Sequence, residues 1–416
     1  MAIRVLLLTQ WFDPEPTFKG LVFARELVRQ GFEVEVVTGF PNYPGGRVYP
    51  GYKIQLLQRE VIDGVQVTRV LLYPNHDQSA IKRVLNYVSF SASALLYGLF
   101  MAKRADVIYA YHPPLTVGIT ASLIRLLRRI PVVYDIQDMW PDTLRATGMI
   151  NNPRALNAVE AVCQWVYRRV DHIVVLSPGF KRLLVQRGVP DVKVDVIYNW
   201  ADEAGLASPQ GQLPASFPGS GQFSIVFAGN MGKAQALDTV LEAAALLQAR
   251  GSRVFFVMLG GGVEVSRLKL RAVELKLLNI VFLPPVPMAA VGTVLQAADA
   301  LLVHLRKDPL FESTIPSKTQ AYMTVGKPLL MAVDGDAADL VVQSGGGMVA
   351  ESENAEALAT TAQALALLAP EQLGVMGQKA KRYYQEHLAL QVGVAKFGTI
   401  FNKLATIAKP ISSLRA

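Results

Sequence analysis

Hydrophobic positions along the chain fall into short apolar runs separated by longer segments of helical period. Arg4–Thr9, Glu33–Thr38, Val65–Leu71, Val107–Ala110, Val132–Asp135, Ile173–Leu176 and Val194–Tyr198 are short Val-, Ile- and Leu-rich segments, some continuous and some alternating with polar residues, which predicts strands. Gly20–Arg29 and Leu115–Arg129 space their apolar residues as one helical face. Buried strands alternating with helices predict a parallel sheet covered on both sides. Residues 203–222, rich in Gly, Pro, Ser and Ala, lose the periodicity and predict a linker. The alternation then restarts. Strands are expected at Phe223–Ala228, Val254–Leu259, Ile280–Leu283, Ala300–Leu305 and Leu329–Val333, with helices at Ala236–Arg250 and Glu264–Leu275. The reading gives an N-terminal domain over 1–202, a linker over 203–222, a second domain over 223–385 and a helical tail over 386–416. Two doubly wound halves place ligands off the carboxyl ends of their strands, in a cleft.

Val84–Ala102 breaks the pattern. It carries no formal charge and is bracketed by Lys82-Arg83 and Lys103-Arg104. Its length approaches a membrane span, but Asn86, several serines and its place between two strands of one domain argue against crossing. A buried core helix and a helix lying on an anionic membrane surface both fit.

Composition narrows the class. With 416 residues and 51% hydrophobic content, the chain suits two or three well-cored domains. A single cysteine, Cys163, cannot form an internal disulfide, which suits a reducing compartment. The opening MAIRVLLLTQWF has no small-residue cleavage site and reads as a first strand. Nearly all of the net charge of +8 lies in the first half. That half can face an anionic membrane or a phosphorylated substrate; no nucleic-acid recognition module is present.

The most informative stretch is Glu312–Met331, ESTIPSKTQAYMTVGKPLLM. Pro316 suits the first turn of a helix, Gly326 a left-handed stop, and Lys327-Pro328 the entry to the next strand. Free amides at the helix start, with Ser317 and Lys318 beside them, make a plausible diphosphate cradle. Gly229-Asn230-Met231-Gly232-Lys233 also follows a strand and opens a helix; it reads as a phosphate loop or a plain turn with a solvated lysine. Arg306, closing a neighbouring strand, favours the phosphate reading. Gly260-Gly261-Gly262 either admits a nucleotide close to backbone or makes a tight turn, and it lacks the dinucleotide glycine pattern, which disfavours NAD. Asp334-Gly335-Asp336 reads as a helix-capping turn rather than a metal site, and no His/Cys cluster suggests zinc. No metal and no cofactor are expected.

PSK (Pro316–Lys318), YM (Tyr322-Met323) and GKP (Gly326–Pro328) together resemble the donor-site helix of family 4 retaining glycosyltransferases, which have the GT-B fold. TQWFDPEP (Thr9–Pro16), the run Arg25–Tyr52, YHPPLTVG (Tyr111–Gly118), DIQDMWPDTLRATGM (Asp135–Met149) and FAGNMGKAQALDTVLEAA (Phe227–Ala244) are similar to the same family. The resemblance covers nearly the whole chain, and its nearest branch is the L-fucosamine transferases of bacterial O-antigen and capsule clusters. It implies two Rossmann-like domains, an acceptor-binding one and a nucleotide-sugar-binding one, with the C-terminal helix returning to the first. It implies retention of configuration, a UDP-sugar donor such as UDP-N-acetyl-L-fucosamine and a lipid-linked glycan acceptor. A cytoplasmic protein on the inner face of the plasma membrane follows.

The resemblance also carries residue roles. His112 is the strongest candidate, standing where family members have a histidine near the donor sugar; a structural histidine at a strand end is the alternative. Asp135 and Asp138 could orient an acceptor hydroxyl or steady charge at the anomeric carbon; helix capping is the alternative for Asp138. Glu15 and Lys19 lie in the loop that faces the cleft in this fold. Val286 follows the strand where the family reads the base through backbone groups. Family members carry a pair of Glu residues in the donor helix; aligned on Tyr322-Met323, Ala321 takes the second position, Ser313 the first, and Glu312 sits one residue away. A nucleotide-sugar epimerase of the same fold, or a noncatalytic nucleotide-sugar-binding subunit, is the alternative function.

Overall fold

The computed structural model describes residues 2–75, 80–146, 148–207 and 211–408. The chain forms two compact units, residues 1–198 with 393–416, and residues 199–392.

The first unit is built on β1 (Arg4–Leu8), β2 (Glu33–Gly39), β3 (Leu57–Ile62), β4 (Val65–Val70), β5 (Val107–His112), β6 (Val132–Ile136), β7 (His172–Val175) and β8 (Val194–Val196). Their order in the sheet is β3-β4-β2-β1-β5-β6-β7-β8. Every residue of β5 and β6 is buried, as expected of central parallel strands covered on both sides. All pairings are parallel except β3 with β4. That antiparallel edge strand is absent from the sequence reading. Its turn, Asp63-Gly64, has positive φ at both residues, the geometry of a two-residue hairpin whose Asp-Gly signal is legible in retrospect. The exposed residues along β3 hide the strand from a search for apolar runs.

The second unit carries β9 (Phe223–Ala228), β10 (Val254–Leu259), β11 (Ile280–Leu283), β12 (Ala300–His304), β13 (Leu329–Ala332) and β14 (Gly347–Ala350). All are parallel, in the order β11-β10-β9-β12-β13-β14. Phe223, Ile225 and Phe227 of β9 pack with Val240, Leu241 and Ala244 of the helix Asp238–Ala249 in its core. The sequence reading lacks β14, a short edge strand begun after Gly345, itself left-handed at φ 61°.

Two expectations change in detail. Residues 203–207, placed in a linker, form the helix Glu203–Ala207. Glu203 accepts hydrogen bonds from the Tyr384 hydroxyl and the Leu390 amide, at 2.8 and 3.1 Å. Pro316, expected in the first turn, is the N-cap of Ser317–Val325, one residue before that turn, and Gly326 ends that helix left-handed at φ 78° as its sequence suggests. Cys163 is buried and free. No helix among the described residues is long and apolar enough to cross a membrane.

Candidate active site

In the second unit Val286, Gly260, Gly229 and Arg306 follow β11, β10, β9 and β12 respectively. They lie at the carboxyl edge of one sheet because its strands are all parallel. The loop after β9 lies directly on the loop after β10. Gly229 donates to the Leu259 carbonyl at 2.9 Å, and Met231 to the Gly261 carbonyl at 2.7 Å. A Cβ at Gly260 would fall 2.1 Å from the Gly229 carbonyl oxygen, and one at Gly262 2.3 Å from that of Met231. Both glycines also have φ near 140°, so any side chain there is excluded twice. Gly260 and Gly262 are therefore required by loop-on-loop packing.

Lys318 stands in the first turn of Ser317–Val325, a helix whose start no side chain caps. Its Nζ lies 3.6 Å from the centroid of the Phe227 ring. A Cβ built on Gly229 would lie 3.4 Å from the same Nζ, so the amine rests against the loop where that loop lacks a side chain. Nζ is buried and has no hydrogen-bond partner. Burial pushes its pKa down to about 7. An amine without an acceptor, next to uncapped helix amides, is chemically able to receive an anion. Tyr322, one turn further on, fixes the helix to β9: its hydroxyl accepts from the Ala228 amide at 2.7 Å and donates to the Ala228 carbonyl at 3.2 Å.

The other residues expected on the donor side are found in different states. Arg306 donates through its amide to Ala234 at 2.9 Å. Its guanidinium is held by Asp308 at 3.0 Å and lies over the Phe311 ring. Asn230, Lys233, Glu312 and Ser317 are exposed, and Val286 is half-buried. Lys233 begins the 3-10 turn Lys233–Gln235. Gln235 accepts from the Gly232 amide at 2.9 Å. The Glu312 carbonyl lies under Gly335, where a Cβ would fall 2.1 Å away. Asp336 opens the helix Asp336–Ser344, and among the described residues no group of three or more His, Cys, Asp or Glu side chains could hold a metal ion.

Sequence reasoning missed His304, at the end of β12. Its Nδ1 donates to the Gln235 carbonyl at 2.6 Å, which leaves Nε2 as a buried acceptor without a partner. Burial holds its pKa down to about 4, so the ring is neutral. A histidine in an otherwise apolar run, ALLVH, was the available signal.

In the first unit His112 ends β5. Its ring is buried in edge-to-face contact with Tyr134 and Trp140, at 5.8 and 5.3 Å between centroids. Nδ1 has no hydrogen-bond partner, and burial pushes the pKa down to about 3. Asp138 is half-buried, and burial raises its pKa. The other three candidates are committed to the architecture. Asp135 is fully buried, 3.7 Å from the equally buried Lys19 Nζ. It accepts from Tyr109 Oη and Gln137 Nε2, both at 2.5 Å. Glu15 is buried and accepts from the Asn42 and Tyr43 amides at 2.7 Å and the Phe12 amide at 3.3 Å. Burial pushes its pKa up to about 7, against the pull of those amides and of Arg69. A cavity of about 230 Å³ lined by Arg4, Glu33, Glu35 and Lys103 lies at the amino ends of the strands, away from these residues.

Residues 21–200 match the glycosyl transferase 4-like domain, and residues 214–383 match the glycosyl transferases group 1 domain. WcaI of Escherichia coli strain K12, whose name assigns it glycosyl transfer in colanic acid biosynthesis, is 26% identical over 347 residues, 78% of this chain and 82% of WcaI. Among solved structures, sucrose-phosphate synthase of Thermosynechococcus elongatus superposes with a TM-score of 0.71 at 14% identity, covering 97% of this chain and all of that one. Anabaena HepE, solved in complex with UDP-glucose, gives a TM-score of 0.66 at 14% identity over 96% of this chain and 100% of its own. The two parallel-sheet units and these neighbours define the GT-B fold. With a glycosyltransferase domain matched in each half, the chain is a glycosyltransferase of the GT4 type.

Proposed function

We propose that this glycosyltransferase moves a sugar from a UDP-sugar to a lipid-linked glycan, with retention of anomeric configuration and without a metal ion. The observation that carries the donor assignment is the buried, unpartnered Lys318 amine against Gly229 at an uncapped helix start. A diphosphate would supply the missing acceptor, and a fixed cation there stabilises the charge that develops on the leaving group. Complexes of HepE with UDP and UDP-glucose support UDP as the nucleotide. The resemblance to O-antigen and capsule enzymes supports an N-acetylated 6-deoxyhexosamine, such as N-acetyl-L-fucosamine, and a site of action on the cytoplasmic face of the plasma membrane.

His112, neutral at physiological pH, serves on this reading as a hydrogen-bonding group toward the donor sugar rather than as a proton acceptor. Asp138 is the carboxylate assigned to the acceptor hydroxyl, because Asp135 already serves Lys19 and Tyr109. Arg306, Lys233 and Ser317 are secondary phosphate contacts.

Calorimetric titration with UDP, GDP, dTDP and NAD, with and without magnesium, tests the donor assignment. Selective UDP binding of equal strength in both conditions is the expected result. GDP or dTDP preference, or binding that requires magnesium, would overturn it. Turnover with a UDP-N-acetyl-6-deoxyhexosamine and a lipid-linked acceptor, with the new anomeric proton read by NMR, separates an enzyme from a noncatalytic binder.

A further inference from the structure

The helix Ala80–Phe100 is apolar on two opposite faces, and only one of them is covered by the described residues. On the inner face Phe90, Ala94 and Tyr97 are buried. Polar contacts fix that face: Asn86 Oδ1 accepts from Gln10 Nε2 at 2.6 Å, Ser91 bonds Thr120 at 2.6 Å, and Tyr97 Oη donates to Glu35 at 2.7 Å. The outer face carries Ile81, Val84, Leu85, Val88, Leu96 and Phe100, all exposed, from 48% at Leu85 to 81% at Ile81. They recur at helical spacing, so they form a stripe along the whole helix rather than scattered exposed residues.

Charge frames the stripe. Lys82 and Arg83 lie at its start, Lys103 and Arg104 just beyond its end, and no Asp or Glu occurs between residues 80 and 104. Lys82, Lys103 and Arg104 are exposed. An apolar stripe with cations at both ends fits an anionic lipid surface, where side chains enter the acyl boundary and bases meet headgroups. A second copy of the same helix would bring like charges together at both ends. We propose that the outer face of Ala80–Phe100 is a docking surface for an anionic membrane. It gives a role to four of the basic residues of the first half of the chain and needs neither sugar transfer nor an acceptor.

The test is sedimentation of the purified full chain with vesicles of phosphatidylglycerol and phosphatidylcholine, compared with phosphatidylcholine alone. The protein is expected to pellet with the anionic vesicles and to be released by salt. Leu85→Ser/Val88→Ser/Leu96→Ser, all on the exposed face, should abolish pelleting while leaving UDP binding unchanged. Neutralising Lys82, Arg83, Lys103 and Arg104 to Gln should weaken it by about fivefold per residue. A Leu96→Trp variant reports insertion directly through a blue shift of its emission. Equal pelleting of the serine variant, no pelleting of the parent, or a parent dimer that the serine variant converts to monomer would each overturn the proposal. The last outcome would assign the stripe to self-association.

Discussion

Lys318 Nζ sits 3.6 Å from the centre of the Phe227 ring, with no oxygen accepting from it. The ring face gives the amine partial compensation, but burial still brings its pKa down to about 7 from 10.5. The unfolded chain therefore holds a proton between pH 7 and 10.5 that the folded chain releases. Folded stability rises with pH across that window, and the penalty is complete below it. Lys318→Met should raise the melting temperature of the ligand-free protein, most at pH 6–7 and not at all above about pH 10.5. The same variant should weaken UDP binding by about 1.5–3 kcal/mol, roughly ten- to hundredfold in Kd. Unchanged UDP affinity in a folded variant would remove Lys318 from the site.

Proton uptake should accompany donor binding. A phosphate beside Lys318 favours the ammonium form and raises its pKa in the complex. Affinity for UDP should then fall as pH rises through about 7, the free-state value, until the bound-state pKa is passed. Titrations at pH 8 in two buffers of different ionisation enthalpy should give binding heats that differ in proportion to the proton taken up. Identical heats would mean that Lys318 does not meet the diphosphate.

The loop pair after β9 and β10 has no room for a side chain. In Gly260→Ala the new methyl would meet the Gly229 carbonyl oxygen, 2.1 Å from the ideal Cβ position, at a φ of 136°. Separating the loops should cost about 2–4 kcal/mol in denaturant unfolding, the range of overpacking with backbone strain. It should also lower UDP affinity, because Gly229 abuts Lys318. Gly374→Ala, inside the helix Pro370–His387 with open space around its Cβ, is the control: it should leave UDP affinity unchanged and raise stability by up to about 1 kcal/mol.

Most of the fold is legible in the sequence because its strands are buried on both faces. Runs such as those of β5, β12 and β13 have no polar residue to interrupt them before their ends. The two strands that escape notice, β3 and β14, are edge strands with half-exposed residues, for which apolar continuity is the wrong signal. The candidate site divides the same way. Lys318 and Gly229 are legible from helix-start and loop chemistry, and they meet in the structure. Partners brought together only by tertiary packing are not legible: Phe227 beneath the amine, Tyr322 on the Ala228 backbone, and Lys19 with Asp135. Nothing in the local sequence of Lys19 distinguishes a phosphate ligand from a buried ion pair whose partner lies far along the chain.

That ion pair gives a last prediction. Lys19 and Asp135 both have no exposed side-chain surface and stand 3.7 Å apart. Tyr109 Oη and Gln137 Nε2 donate to the same carboxylate, and Lys19 Nζ lies 5.6 Å from the Phe397 ring. Removing one charge leaves the other buried and uncompensated, a loss of about 3–5 kcal/mol. Replacing both costs far less, because neither desolvated charge remains. Lys19→Met should therefore be severely destabilised in urea unfolding, and Asp135→Asn comparably so. The double variant Lys19→Met/Asp135→Asn should recover most of the difference, giving a coupling energy of about 2 kcal/mol or more in the double-mutant cycle. Additive losses would show that the two residues do not act as a pair. If the double variant also retains UDP binding, the role of both residues is to hold the loop after β1 against β6, and Asp138 is left as the carboxylate to test on the acceptor.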